Sequence, residues 1–269
     1  MFGTKLLPRP LRLRVLSRVR PVSVVITCRN YGRYLQDSFE SALNQTRRPA
    51  EIVIVDDEST DSTADVVRRL VESSGGMVHV NYVRKNVRLG VAGSRNIGVT
   101  AARSEYVAIL DADDRLDSRY VECVASLLDR DSHVGVAYSS YREFDERNRD
   151  VILPPFDPVV LLTDCIIMGC AMIRKSVFCA VGGYDSEQIF EDWELWIRIV
   201  SKGWKAMGCG SPLYFYRVHS DSKDAEANQQ RLEGERRIYV KHEQFYKAAE
   251  VTRLENGVWQ NAKAAPPYR

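Results

Sequence analysis

Acidic residues stand at several short intervals where chemistry needs them. Asp111-Ala112-Asp113-Asp114 follows the apolar run Tyr106 to Leu110, and Asp56-Asp57 follows Ile52 to Val55. Paired carboxylates at the mouth of a sheet suit a hard divalent cation shared with a substrate's phosphates. They equally suit solvated turns and helix caps. A calcium loop starting at Asp111 fails, because its glycine position holds Leu116 and a ligand position holds Arg115. Arg95, in Gly90-Val-Ala-Gly-Ser-Arg-Asn-Ile-Gly98, suits either a phosphate or an aspartate. That stretch is neither a dinucleotide fingerprint nor a Walker loop. Glu191-Asp192 opens a tryptophan-rich segment, where an acid serves as a helix cap or as a general base. For a base, the neighbouring Glu191 raises the Asp192 pKa and the helix terminus lowers it. His219 is a lone histidine, of interest only if the fold returns it to the acidic residues.

The elements that must position these residues alternate between strand and helix. Val22–Thr27, 52–55, 78–83, 106–110 and 134–138 read as strands. Leu35, Phe39, Ala42 and Leu43 mark a helix, as do Thr63, Val67, Leu70 and Val71. A short helix is expected over 93–100, and another carries Tyr120, Val124, Leu127 and Leu128. This order predicts an α/β fold with a mostly parallel sheet between helices, whose ligands bind beyond the carboxyl ends of the strands. Those ends carry Thr27, Asp56-Asp57 and Asp111-Ala112-Asp113. Residues 141–164, with Pro154, Pro155 and Pro158, read as a long loop into a smaller second half. Trp193, Trp196, Ile197 and Val200 then mark a largely buried helix, and 213–216 a further strand. We divide the chain into a basic extension over 1–20, one domain over 21–220 and a helical, partly disordered tail over 221–269.

Composition removes other classes. Apolar residues make up 45% and charged residues 28%, which excludes a collagen or a disordered chain. Apolar runs are too short to span a membrane. The net charge of +2 hides an asymmetry: residues 1–36 contain eight basic residues and no acid, and the remainder is acidic. A nucleic-acid binder is therefore not expected. The N-terminus reads as a loose basic extension, with contact to a membrane surface as the alternative. Six cysteines without a C-x-x-C pair point to reduced thiols in a cytoplasm.

Taken together, the motifs resemble the family 2 glycosyltransferases, which have the GT-A fold. The resemblance rests on Val22 to Leu35, Glu51-Ile-Val-Ile-Val-Asp-Asp-Glu-Ser-Thr-Asp61, Gly90 to Gly98 and Ala108-Ile-Leu-Asp-Ala-Asp-Asp114. It continues through Gly169 to Lys175, Val181 to Asp185, Phe190-Glu-Asp-Trp-Glu-Leu-Trp-Ile-Arg198 and Tyr216-Arg-Val-His-Ser220. It implies that Thr27, Asp56 and Asp57 contact the base and ribose of a nucleotide-sugar, and that Arg95 lies near its phosphates. It further implies that Asp111 and Asp113 hold Mn²⁺ or Mg²⁺, with Asp113 the more direct ligand and His219 assisting. Asp192 is then the base that deprotonates an acceptor hydroxyl.

One base and direct attack invert the anomeric configuration. UDP is the nucleotide the resemblance implies, and the product is a surface glycan or glycoconjugate. The acceptor is an unidentified hydroxyl on a glycan, a lipid-linked sugar, a protein or a small molecule. The expected place is cytoplasmic, with the basic N-terminus offering contact at the inner membrane face. No Gln-x-x-Arg-Trp motif follows Asp192, which favours one transfer per encounter over processive synthesis. Glu58 stands where the family commonly has glycine, and Arg88 near a usual asparagine. A nucleotidyltransferase, a non-catalytic nucleotide-sugar binder and a signalling receiver domain are the competing readings. The first lacks its glycine-rich N-terminal loop, and the last lacks a Lys-Pro after a late strand.

Overall fold

The computed structural model describes residues 19–219, 230–253 and 259–261. The sheet grows from a run of β-branched strands that water does not reach. Strands β1 (Val22–Cys28), β2 (Glu51–Asp57) and β4 (Tyr106–Asp111) are buried almost throughout, as central parallel strands must be. With β3 (His79–Lys85) they pair in parallel in the order β3-β2-β1-β4. Helices α1 (Gly32–Leu43), α2 (Thr63–Ser73) and α3 (Gly90–Ala101) make the crossovers. Helix α1 buries Leu35, Phe39, Ala42 and Leu43, the apolar stripe read from the sequence.

Beyond β4 the sheet becomes mixed. The short β5 (Arg115–Leu116) leads into α4 (Tyr120–Arg130) and β6 (Val134–Asp145). The stretch from 141 to 164 departs from the expected long loop. Its first residues extend β6, and β7 (Arg149–Val151) folds back on them antiparallel. Helix α5 (Pro158–Thr163) follows, capped by Asp157, whose Oδ1 accepts the Val159 N–H at 2.7 Å. Only residues 152–157 between them lack regular structure. Pro158 marks the start of a helix, whereas Pro154 and Pro155 lie in that irregular stretch.

Strand β8 (Met172–Arg174) lies antiparallel to both β4 and β6, and α6 (Lys175–Val181) and α7 (Glu191–Ser201) come next. Strand β9 (Lys205–Val218) pairs in parallel with β6 in the same sheet and antiparallel with β5. The expected second half is therefore part of one continuous sheet. Its length was hidden by Gly208, Gly210 and Pro212, which coincide with a break in the β6–β9 register.

The C-terminal segment folds back as α8 (Arg231–Lys241), α9 (Glu243–Ala248) and a hairpin of β10 (Val251–Arg253) and β11 (Trp259–Asn261). Ile238, Tyr246 and Val251 are buried there, as part of the same hydrophobic core as the sheet. The basic run before residue 19 and the disorder expected near the C-terminus fall outside the described residues. No helix among the described residues is long and apolar enough to cross a membrane.

Candidate active site

Parallel pairing aligns the carboxyl ends of β1, β2 and β4, which brings Thr27, Asp56-Asp57 and Asp111 to one edge. Thr27 Oγ1 donates to Asp111 Oδ1 at 2.9 Å. Asp56 is fully buried. Its Oδ1 accepts the Ser59 N–H at 2.9 Å and its Oδ2 the Tyr82 hydroxyl at 2.6 Å. Asp57 accepts the backbone N–H groups of Leu89 and Gly90 at 2.7 and 2.9 Å, tying β2 to the start of α3. Glu58 has φ of +59°, a left-handed conformation that explains why glycine is common at this place in the resembling family.

Helix α3 carries Arg95 under the same edge, 5% exposed. Of the two partners open to it in the sequence, the structure shows acids. Nη2 donates to Asp111 Oδ2 at 3.0 Å and Nη1 to Glu191 Oε1 at 2.9 Å. Arg95 thus joins the strand that ends in Asp111 to the helix that starts with Glu191-Asp192. Gly169 fits between these groups: a Cβ there would lie 2.8 Å from Asp192 Oδ2 and 2.9 Å from Arg95 Nη1. The next residue, Cys170, donates its thiol to Asp111 Oδ2 at 3.2 Å.

The capping role open to Glu191 and Asp192 is not observed. The residue preceding α7 is Phe190, with no side-chain cap, and Asp192 Oδ1 accepts the adjacent Trp193 N–H at 2.7 Å. Both acids sit in the first turn, where the helix dipole favours their charge. His219, at the end of β9, does return to the acidic edge. Its Nε2 lies 3.0 Å from Asp113 Oδ2, and its ring packs against Tyr31 and Tyr34. Asp114 turns inward and accepts the Tyr214 hydroxyl at 2.6 Å and the Arg217 N–H at 2.7 Å.

Electrostatics divide these acids. Burial pushes the Asp111 carboxyl up, but the Arg95 guanidinium and hydrogen bonds from Cys170 and Thr27 prevail and hold it below its ordinary value. Burial and the Asp111 charge raise Asp113, against the His219 hydrogen bond. Burial raises Asp114 well above the carboxylate range, helped by both neighbours. Burial and the Asp192 charge push Glu191 up to about 7 despite Arg95. Asp192 is raised chiefly by burial, with Arg95 opposing.

The donor set fits a hard divalent cation. Asp113 is held above its ordinary value by burial and like charge, a bias that a cation would relieve. His219 Nδ1 is buried without a hydrogen-bond partner among the described residues. The carboxylate oxygens suit Mn²⁺ or Mg²⁺, and the imidazole is the softer member of the set. A second grouping adjoins it: ligand atoms of Asp111, Asp114 and Cys170 lie within 4.8 Å of one another. There the Asp114 oxygens are already spent on Tyr214 and Arg217, so Asp113 and His219 are the freer pair.

The family model described as Glycosyl transferase family 2 matches residues 23–180. The chain belongs to this family. It is a glycosyltransferase of GT-A fold, as the motifs implied. Among curated relatives, the UDP-Glc:alpha-D-GlcNAc-diphosphoundecaprenol beta-1,3-glucosyltransferase WfaP of Escherichia coli is 29% identical over 208 residues, covering 76% of this chain and 80% of the relative. Among solved structures, S. aureus TarS 1-349 in complex with UDP-GlcNAc has a TM-score of 0.66 at 18% identity, over 82% of this chain and 66% of that one. The mannosyltransferase PcManGT of Pyrobaculum calidifontis, in complex with GDP-Man and Mn²⁺, also gives 0.66, at 21% identity over 85% of this chain and 66% of its own.

Two partners in this glycosyltransferase's site escaped the sequence reading. Cys170 carries no motif that marks it as a partner of Asp111, because the contact is made across 59 positions. Arg217 had a signal in its position, two residues before His219 at the end of β9.

Proposed function

We propose that this enzyme transfers one sugar per encounter from a nucleotide-sugar, with UDP as the nucleotide, to an acceptor hydroxyl with inversion of configuration. The observation that carries this reading is the division of acids across Gly169. Asp111 stands with Asp113 and His219 on one side, Arg95 joins Asp111 to Glu191 on the other, and Asp192 follows Glu191 against Gly169.

Asp113 and His219, with Asp111 behind them, would hold Mn²⁺ or Mg²⁺, which as a Lewis acid offsets the charge that develops on a departing diphosphate. Thr27, Asp56 and Asp57 form the nucleotide end. Asp56 and Asp57 act there by fixing the backbone that meets the nucleotide, since their oxygens are occupied by Ser59, Tyr82, Leu89 and Gly90. Asp192, raised by burial, takes the proton of the attacking hydroxyl. The name of the E. coli relative supports a UDP-hexose donor and a lipid-linked sugar as acceptor. A cytoplasmic place at the inner membrane face follows from such an acceptor.

A thermal-shift screen of nucleotide-sugars and free nucleotides, with and without Mn²⁺, tests the reading. A ligand at 100 times its Kd adds about 2.7 kcal/mol of stability. The expected result is a metal-dependent shift with a UDP-sugar that Asp113→Ala removes. Absence of any nucleotide-dependent shift in folded protein would sink it.

A further inference from the structure

The strand that delivers His219 carries another side chain with many partners. Arg217 is 8% exposed, and a guanidinium at that depth persists when its fork is matched by acceptors. Its backbone N–H donates to Asp114 Oδ1 at 2.7 Å and its Nε to the Asp113 carbonyl oxygen at 2.7 Å. Nη1 reaches Asp145 Oδ2 at 3.0 Å, and Nη2 reaches Asp37 Oδ2 at 2.8 Å. One residue therefore ties the turn after β4 to the end of β6 and to α1.

The guanidinium also lies over two rings. Its carbon is 4.6 Å from the Tyr34 centroid and 4.5 Å from that of Phe144. The Tyr34 ring in turn meets the His219 ring, with centroids 5.4 Å apart. Arg217 thus touches the backbone that carries Asp113 on one side and the ring that supports His219 on the other. Asp37 and Asp145 are about half exposed, so their Coulomb attraction alone is weak; their contribution is directional.

We propose that Arg217 is a positioning residue that sets how Asp113 and His219 face each other, and thereby the affinity of the site for a divalent cation. The inference rests on the metal-dependent reading above. It differs from a sheet-edge strut in what it predicts. A strut changes stability, whereas a residue that orients two ligands changes cation affinity in a protein that remains folded.

The test is a Mn²⁺ titration in the presence of UDP, followed by the electron paramagnetic resonance signal of free Mn²⁺, on full-length wild type, Arg217→Lys, Tyr34→Leu and Asp113→Ala. The melting temperature of each is measured in parallel. Lysine keeps the charge and the backbone N–H to Asp114 but cannot reproduce the fork or the stacked plane. Arg217→Lys is expected to raise the Mn²⁺ Kd by about 10- to 100-fold, the usual cost of losing a group that orients metal ligands. Tyr34→Leu, which removes the ring between Arg217 and His219 but leaves the Arg217 hydrogen bonds to Asp113 and Asp114, is expected to raise it less, and it serves if Arg217→Lys fails to fold. A Kd unchanged in folded Arg217→Lys, or in Tyr34→Leu should the lysine variant not fold, overturns the inference while leaving the metal reading intact. Wild type that binds no Mn²⁺ with UDP, like Asp113→Ala, overturns both.

Discussion

Asp56-Asp57 and Glu191-Asp192 are both adjacent acids at the site, yet they are held in opposite ways. The four oxygens of Asp56 and Asp57 accept three backbone N–H groups and a tyrosine hydroxyl. Glu191 and Asp192 meet Arg95 and the backbone N–H groups of their own first turn, yet burial keeps both above their ordinary values. Carboxylates satisfied by amides shape a turn and give nothing up. Carboxylates that are buried beside a like charge can accept a proton. On the proposed reading, the same residue type thus builds the site on one side and takes up a proton on the other.

The largest effect expected from breaking this contrast is at Glu191-Asp192. Asp192→Asn should lower turnover by about 10²- to 10⁴-fold, the range for a general base, with donor binding nearly intact. A normal rate in that variant would remove Asp192 from the mechanism. Gly169→Ala comes next, because its methyl would press on both Asp192 and Arg95. A drop in kcat of about 10²-fold is expected, as for a displacement near 1 Å; wild-type kcat in steady-state assays would show that the site yields to the methyl.

The pair also sets a pH dependence. Glu191 is raised to about 7, so the pair sheds its last proton near there, and kcat should fall as pH drops below about 7. Glu191→Gln removes the like charge, so the acid limb should move to lower pH; a limb that stays in place would exclude the coupling. Glu194, two residues along α7, has the opposite sign. Burial raises it, but hydrogen bonds from His242 and Arg198, with Lys241, bring it down to about 2. A depressed carboxyl stabilises the fold above its unfolded pKa and loses that contribution as pH falls through its folded one. Glu194→Gln should therefore cost on the order of 3 kcal/mol at pH 7, with the deficit shrinking between about 4.5 and 2. Urea melts of both proteins at pH 7 and pH 3 check this.

The smallest effect expected is on the structural side. Glu58→Gly relieves a left-handed residue and should gain about 0.5–1 kcal/mol, or about 2 °C in Tm, after the added flexibility of the unfolded chain is counted. A loss of stability instead would mean that the Glu58 side chain contributes more than its backbone costs.

The sequence by itself determined the strands and helices of the parallel half, and which strand ends carry acids. These follow from local burial periodicity and from the single edge that parallel pairing creates. It also determined the family, through motifs whose order is preserved from Val22 to Ser220. It misread 141–164, because proline marks helix starts as well as loops, and it missed the length of β9, because glycine and proline sit where the register shifts.

Only the tertiary structure decided what each acid touches. Whether Arg95 meets a carboxylate, whether Asp192 caps its helix, and whether His219 reaches Asp113 each depend on contacts between residues 96, 1 and 106 positions apart. The Asp192 case looks local, yet its burial comes from the surrounding fold. A carboxylate's role is set by which hydrogen-bond donors and charges surround it, and those arrive from distant parts of the chain.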